Sequence, residues 1–289
     1  MKKIIFAVMA CFLALTPALN AAETKAAGTL DMEAFTKAVQ AFDLAQVKDI
    51  VKWHAVNVSD DKGFFPLYVA AKEGTPEIVE FLIEQGADVN FVGKGKKVTA
   101  LCVASAKQKL DTVLVLLEHK ADTNKCPALA YEMINKDDKK DIILELIKHG
   151  AKVNEVGMLK ATPLMLAAAF GKIEHVKILL DNKADVNFVS ANFTPLSAAI
   201  KAIGQPNAYA IVELLVNKGA SLKIANDNRK EKEPLWQDKY KASDFKGAEQ
   251  KEAQKLITYL KALAAKEAKA APAQKSSAPV KKAAAPAKK

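Results

Sequence analysis

Four histidines, three cysteines and 33 carboxylates are the groups in this 289-residue chain that could do acid, base, nucleophilic or metal chemistry. His54, His119 and His149 stand near the ends of amphipathic helical patterns, where a cation complements the helix C-terminal dipole. His175 lies mid-pattern between Glu174 and Val176. No two histidines stand four apart, so no helical face offers a metal a pair of imidazoles, and the cysteines do not cluster. No serine occupies a nucleophile elbow, and no glycine-rich loop follows a strand pattern to cradle a phosphate. Glu80, Glu84, Glu118 and Glu213 fall on the polar sides of helical patterns and read as solvated faces rather than acid–base pairs. The expectation is a non-enzymatic protein without cofactor or metal.

The elements that would position any site recur along the chain. In TPLMLAAAFGKIEHVKILLDNKADVN, residues 162–187, Thr162 and Pro163 open a helix. Proline fixes φ there and lacks a donor that a first turn leaves unpaired anyway. Leu164, Leu166, Ala167 and Ala168 supply its packed side, and Gly171 ends it. Ile173, Val176, Leu179 and Leu180 then recur along one face of a second helix. Two such short helices cannot bury their apolar faces alone, so the unit needs neighbours. The asparagines that close comparable units are Asn57, Asn90, Asn124, Asn154 and Asn187, at spacings of 33, 34, 30 and 33. The leucines that open them are Leu67, Leu101, Leu129, Leu164 and Leu196, at spacings of 34, 28, 35 and 32.

The same pattern runs through FPLYVAAKEG…IVEFLIEQGADVN (65–90), TALCVASAKQ…VLVLLEHKADTN (99–124) and TPLSAAIKAIG…IVELLVNKGAS (194–221). PALAYEMIN…IILELIKHGAKVN (127–154) is a degenerate member. A period near 33 with a turn and two helices per unit resembles the ankyrin repeat family. The resemblance covers residues 31–223. It implies an all-α fold, an ankyrin-repeat solenoid of stacked helix-turn-helix units with β-hairpin-like finger loops. Six repeats are expected at 31–57 (a cap-like repeat), 63–90, 99–124, 127–154, 162–187 and 194–223. A charged connection and capping helix, 224–265, would follow, with Ala253, Leu256, Ile257 and Leu260 at helical spacing and Trp236 and Tyr240 packing back on the last repeat. Some features depart from the family. Tyr68, Cys102, Ala130, Met165 and Ser197 stand where a histidine often follows the opening leucine. The loop before Leu129 is short, so the finger there is expected to be missing. GQPNAY lengthens the last helix–helix turn.

The resemblance implies binding of a protein partner through the concave face. The family's variable contact positions map here to finger residues Asp61, Phe64, Phe91, Lys94, Lys96, Lys97, Met158, Lys160, Asn192 and Phe193, and to first-helix residues Lys72, Glu73, Lys107, Phe170 and Lys201. Aromatics rimmed by lysines are the composition of interface anchors. The competing reading is that the phenylalanines pack between neighbouring fingers. Exported bacterial members of the family act as accessory or protective partners of other proteins, for instance beside peroxide-removing enzymes.

MKKIIFAVMACFLALTPALNAAET has the two lysines, short apolar run and small residues of a secretory signal. Cleavage is expected after Ala21 or Ala22, with Ala18 the alternative, leaving no transmembrane span. The expected destination is the bacterial periplasm, with secretion to a host as an alternative. Cys11 resembles a lipoprotein cleavage position, but the preceding Met9 fits that box poorly. Cys102 and Cys126 are expected as reduced, buried thiols acting as small apolar fillers, with a single bridge between them, which an oxidising compartment would allow, as the alternative. From residue 266 the composition collapses to Ala, Lys and Pro, with seven lysines against one glutamate, which reads as a disordered basic tail. The tail accounts for most of the formal charge of +10 and leaves the body near balance, so a nucleic-acid partner is not expected. The tail could hold the protein on anionic envelope polymers or lipid headgroups as a tether. A monomer is expected.

Overall fold

The openings of the repeats are helix caps. Thr99 and Thr162 accept the backbone N–H groups of Cys102 and Met165, and Thr194 forms a reciprocal capping box with Ser197. Pro66, Pro163 and Pro195 occupy the first helical turn. The computed structural model describes residues 30–52, 54–95, 98–135, 139–228 and 234–270. The signal-like leader, Lys96, Lys97 and residues 271–289 lie outside them.

The chain divides between Cys126 and Pro127 into two compact units. Unit 1 contains α1 (Met32–Gln40), α2 (Leu44–Val51), α3 (Pro66–Glu73), α4 (Pro76–Glu84), α5 (Ala100–Ala106) and α6 (Leu110–Glu118). Unit 2 contains α7 (Ala128–Ile134), α8 (Lys140–Lys148), α9 (Pro163–Ala169), α10 (Ile173–Asp181), α11 (Pro195–Lys201), α12 (Ala208–Asn217), α13 (Leu222–Asp227) and α14 (Gly247–Ala270). Within each unit, first helices stack on first helices and second helices on second helices. Buried alanines such as Ala70, Ala104, Ala167 and Ala199 keep the first helices close, while the opening leucines fill the space between layers. The described residues contain no strand. The last finger is pinned by an isolated bridge between Ser190 and Phe193.

Two side-chain ladders run between repeats. Asn57 donates to the Gly86 carbonyl (2.9 Å) and accepts from the Asp88 N–H (2.7 Å). Asn90 does the same with Lys120 and Asp122, Asn154 with Lys183 and Asp185, and Asn187 with Gly219 and Ser221. A carboxamide carries both donor and acceptor, so one side chain satisfies both backbone groups of the next turn. In the second ladder, the residue that starts a second helix caps the first helix of the preceding repeat. Lys109 reaches Gly74 O (2.7 Å), Lys172 reaches Asn135 O, and Asn207 reaches Gly171 O (3.1 Å).

Three expectations change. Cys102 and Cys126 are joined in a disulfide, with Cα atoms 6.3 Å apart. The turn that replaces the missing finger carries Cys126 straight back over the start of α5, which spacing along the chain could not reveal. The charged connection expected from residue 224 begins inside a further helix, α13, and the capping helix expected to close by 265 extends to Ala270, into the stretch read as tail. Within that extension Glu267 makes contacts to the fold. Its carboxylate accepts from Leu222 N (2.8 Å) and Lys223 N (2.7 Å), capping α13. Trp236 packs back as expected, 1% exposed, with its indole N–H on Ala225 O (3.0 Å).

Candidate binding face

The finger of the second repeat is closed by Asp60, which accepts the Phe64 N–H (2.8 Å) while its own N–H donates to Phe64 O (2.9 Å). That loop, α1 and α3 enclose a groove of about 340 Å³. Met32, Thr36, Phe64, Tyr68 and Val69 form its floor, and Glu33, Gln40, Asp60, Lys62, Lys72 and Glu73 stand at its edge. Phe64 and Tyr68 lie with ring centroids 5.3 Å apart. Of the candidates, the structure therefore brings Phe64, Lys72 and Glu73 together, with Asp61 exposed beside Asp60.

Lys72 donates to Glu73 at 2.5 Å. That bond holds the Glu73 carboxyl below its ordinary value, and the nearby charges of Lys107 and Lys109 act in the same direction. Burial pushes the Lys109 ammonium down, with Glu73 opposing. Lys107 caps the end of α5 and is exposed, as is Lys94 in the next finger. Phe91 packs edge-on against Phe65 at 5.0 Å, so this candidate is half-buried between fingers. Lys96 and Lys97 lie outside the described residues.

In unit 2, Phe170 is 53% exposed at the end of α9, whereas Phe193 lies beneath Lys201, whose Nζ is 4.0 Å from the ring centroid. Met158 opens the short turn Met158–Lys160, and Lys160 and Asn192 are exposed with positive φ. Sequence reasoning missed Leu159 between two of its own candidates. It is 74% exposed at φ 59°. A left-handed leucine carries no signature in its residue type.

A second groove, of about 370 Å³, lies on the second-helix face of unit 1 between Leu44, Phe81 and Val115, edged by Lys48, Glu77, Glu80 and Glu84. The histidines serve structure. His119 pairs with Glu80 (2.8 Å), His54 and His149 bond carbonyls one turn earlier, and His175 is buried in α10. Among the described residues no three His, Cys, Asp or Glu side chains are placed to hold a metal, and no helix is long and apolar enough to cross a membrane.

A family model for ankyrin repeats in three copies matches residues 35–125 and again 130–226. The chain belongs to the ankyrin repeat family. It is 32% identical over 162 residues to the fowlpox virus ankyrin repeat protein FPV031, covering 52% of this chain and 46% of that protein. It is 36% identical over 135 residues to the transient receptor potential channel pyrexia of Drosophila melanogaster, covering 45% of this chain and 14% of the channel. The chain thus spans less than half the length of these curated relatives. Among solved structures, the human ASB11 ankyrin repeat domain superposes with a TM-score of 0.56 at 25% identity, over 70% of this chain and 94% of that one. A chain of the Bdellovibrio bacteriovorus complex between predatory endopeptidase Bd0816 and immunity protein Bd3460 gives 0.56 at 24%, over 62% and 97%. At that identity the likeness shows the fold alone. Ankyrin repeats are generally protein–protein interaction modules, and the fold is typically a non-catalytic scaffold.

Proposed function

We propose that this ankyrin-repeat protein is an exported, non-catalytic module that binds a protein partner through its fingers and first helices. The observation that carries the reading is the groove at Phe64 and Tyr68, an apolar floor left uncovered within an edge of mixed charge, Glu33, Asp60, Lys62, Lys72 and Glu73. The partner is another envelope protein, and this chain is its accessory or protective subunit. The occurrence of the fold in a complex of an endopeptidase with an immunity protein supports that direction. Export is supported by the signal-like leader and by the Cys102–Cys126 bridge, since disulfides persist in oxidising compartments. The periplasm is the destination this favours over secretion to a host.

A photo-cross-linking residue at position 64 should capture a partner from the envelope of the source cell, and one at Glu84 on the second-helix face should not. Equal capture from both faces contradicts the reading.

The lysine-rich C-terminus favours a second role, adhesion to anionic envelope polymers or lipid headgroups. A truncation that tests it must begin after Ala270, because Glu267 belongs to the fold. Loss of envelope association with partner capture retained is the result expected of a tether.

A further inference from the structure

We infer that Glu132 and His175 share one proton as a buried pair, and that this pair makes the join between the fourth and fifth repeats sensitive to pH.

Both residues break the repeat register at positions that carry no charge elsewhere. Glu132 stands three residues after its opening leucine, where the other repeats bury Ala70, Ala104, Ala167 and Ala199. His175 stands three residues after the cap of its second helix, where three other repeats bury Ile78, Thr112 and Ile142. The two exceptions fall in adjacent repeats, and each residue is 1% exposed. A carboxylate or an imidazolium is tolerated at that depth when an opposite charge accompanies it, and one without the other is strongly destabilising.

Lys172 sets the register between them. Its Nζ donates to the carbonyls of Glu132 (3.4 Å) and Asn135, so the start of α10 lies against the end of α7. His175 follows Lys172 by three residues and Glu132 precedes Asn135 by three. Residues three apart share a helix face, so both side chains enter the same interval between the repeats.

The other charges on the elements packed against α10 stand outside that interval. The first helix α9 carries none. Lys140, Asp141 and Glu145 of α8, and Glu174 and Lys177 of α10 itself, are exposed or half-buried, and Lys140 pairs with Glu174 (3.6 Å). On α12, Tyr209 donates to Glu213 (3.3 Å). Lys136, Asp137 and Asp138, between α7 and α8, lie outside the described residues.

The pair titrates as a unit with two edges. As pH falls through the carboxylate range, at about 4.3, Glu132 takes up a proton and the imidazolium is left alone in the core. As pH rises through the imidazole range, at about 6.5, His175 gives its proton up and the carboxylate is left alone. Each charge favours the other, which moves both edges outward. The stability contributed is therefore complete between about pH 4.3 and 6.5 and is lost on either side.

The test uses the full chain and the residues that the other repeats supply. Glu132→Ala and His175→Ile are made singly and together and melted across the pH range. At about pH 5.5 each single variant should melt about 5–10 °C below wild type, and the double variant should recover about half of that loss or more. Measured against the double variant, Glu132→Ala should gain as pH rises to about 8, and His175→Ile should gain as pH falls to about 4. If Glu132→Ala does not fold, Glu132→Gln should show the same response to rising pH. The His175 imidazole, followed by NMR, should titrate at lower pH in the Glu132 variant than in wild type, and Asp137→Asn with Asp138→Asn should leave it in place. The inference is overturned if the two single losses add in the double variant, or if the single variants follow the double variant at every pH. It is also overturned if the aspartate variants move the His175 titration and the Glu132 variant does not.

Discussion

A Cβ atom added to Gly93 would stand 2.0 Å from the carbonyl oxygen of Gly63. Successive fingers of unit 1 therefore cross at a separation that only glycine permits, and the neighbouring Lys94 N–H to Ser59 Oγ bond (3.2 Å) holds them there. Both partners at the crossing are backbone and cannot swing aside. Gly93→Ala should destabilise unit 1 by about 1–3 kcal/mol or more, as overpacking does. Hydrogen exchange should show fingers 58–64 and 91–95 losing protection first, and an unchanged exchange map would contradict the crossing.

The Cys102–Cys126 bridge closes a loop of 24 residues and ties α5 to the turn that stands in for the missing finger. Loop closure of this size, in the chain-entropy picture, contributes about 2–4 kcal/mol. Urea unfolding with and without a dithiol should differ by that amount, and the double variant Cys102→Ser with Cys126→Ser should be insensitive to reductant. If wild type shows no shift on reduction, the bridge does not hold the two segments together in solution.

Glu267 caps α13 with a charged acceptor, and its loss should cost about 1.5–3 kcal/mol, the range for hydrogen bonds to charged groups, reduced by its partial exposure. Truncation after Ala265 should reproduce the melting shift of Glu267→Ala. Truncation after Ala270 should leave the midpoint unchanged. A lowered midpoint in the chain ending at Ala270 would move the domain boundary towards the C-terminus.

Leu159 and Lys160 both hold positive φ, at 59° and 55°, and the Lys160 carbonyl is pinned by Ser190 Oγ (2.7 Å). A left-handed leucine costs about 1–2 kcal/mol and here exposes its side chain to water, which stability alone does not explain. Leu159→Gly should leave the protein as stable as before or up to about 1 kcal/mol more stable, while weakening partner capture. A fall in melting temperature would show that the leucine serves the fold.

Most of the scaffold was legible because each repeat restates it. Periodic leucines and closing asparagines located the helix pairs, and Asn57, Asn90, Asn154 and Asn187 proved to be the rungs between them. The site was legible in part. Phe64, Lys72 and Glu73 converge because finger and first helix belong to one repeat, whereas Phe91 and Phe193 are drawn into packing by neighbours that residue type does not announce. Cys102–Cys126 depended on a distance between the start of α5 and a turn. Glu267 was hidden in lysine- and alanine-rich sequence, where a single carboxylate looks like charge balance until its donors are seen.

The central claim is that the fingers and first helices bind a protein. Its most direct test is the affinity of the captured partner for wild type and for Phe64→Asp with Phe170→Asp, each checked by circular dichroism. Phe170 is exposed and Phe64 half-buried, so a folded double variant that binds at least about tenfold more weakly is the predicted result. A folded double variant that binds the partner as tightly as wild type would contradict the account.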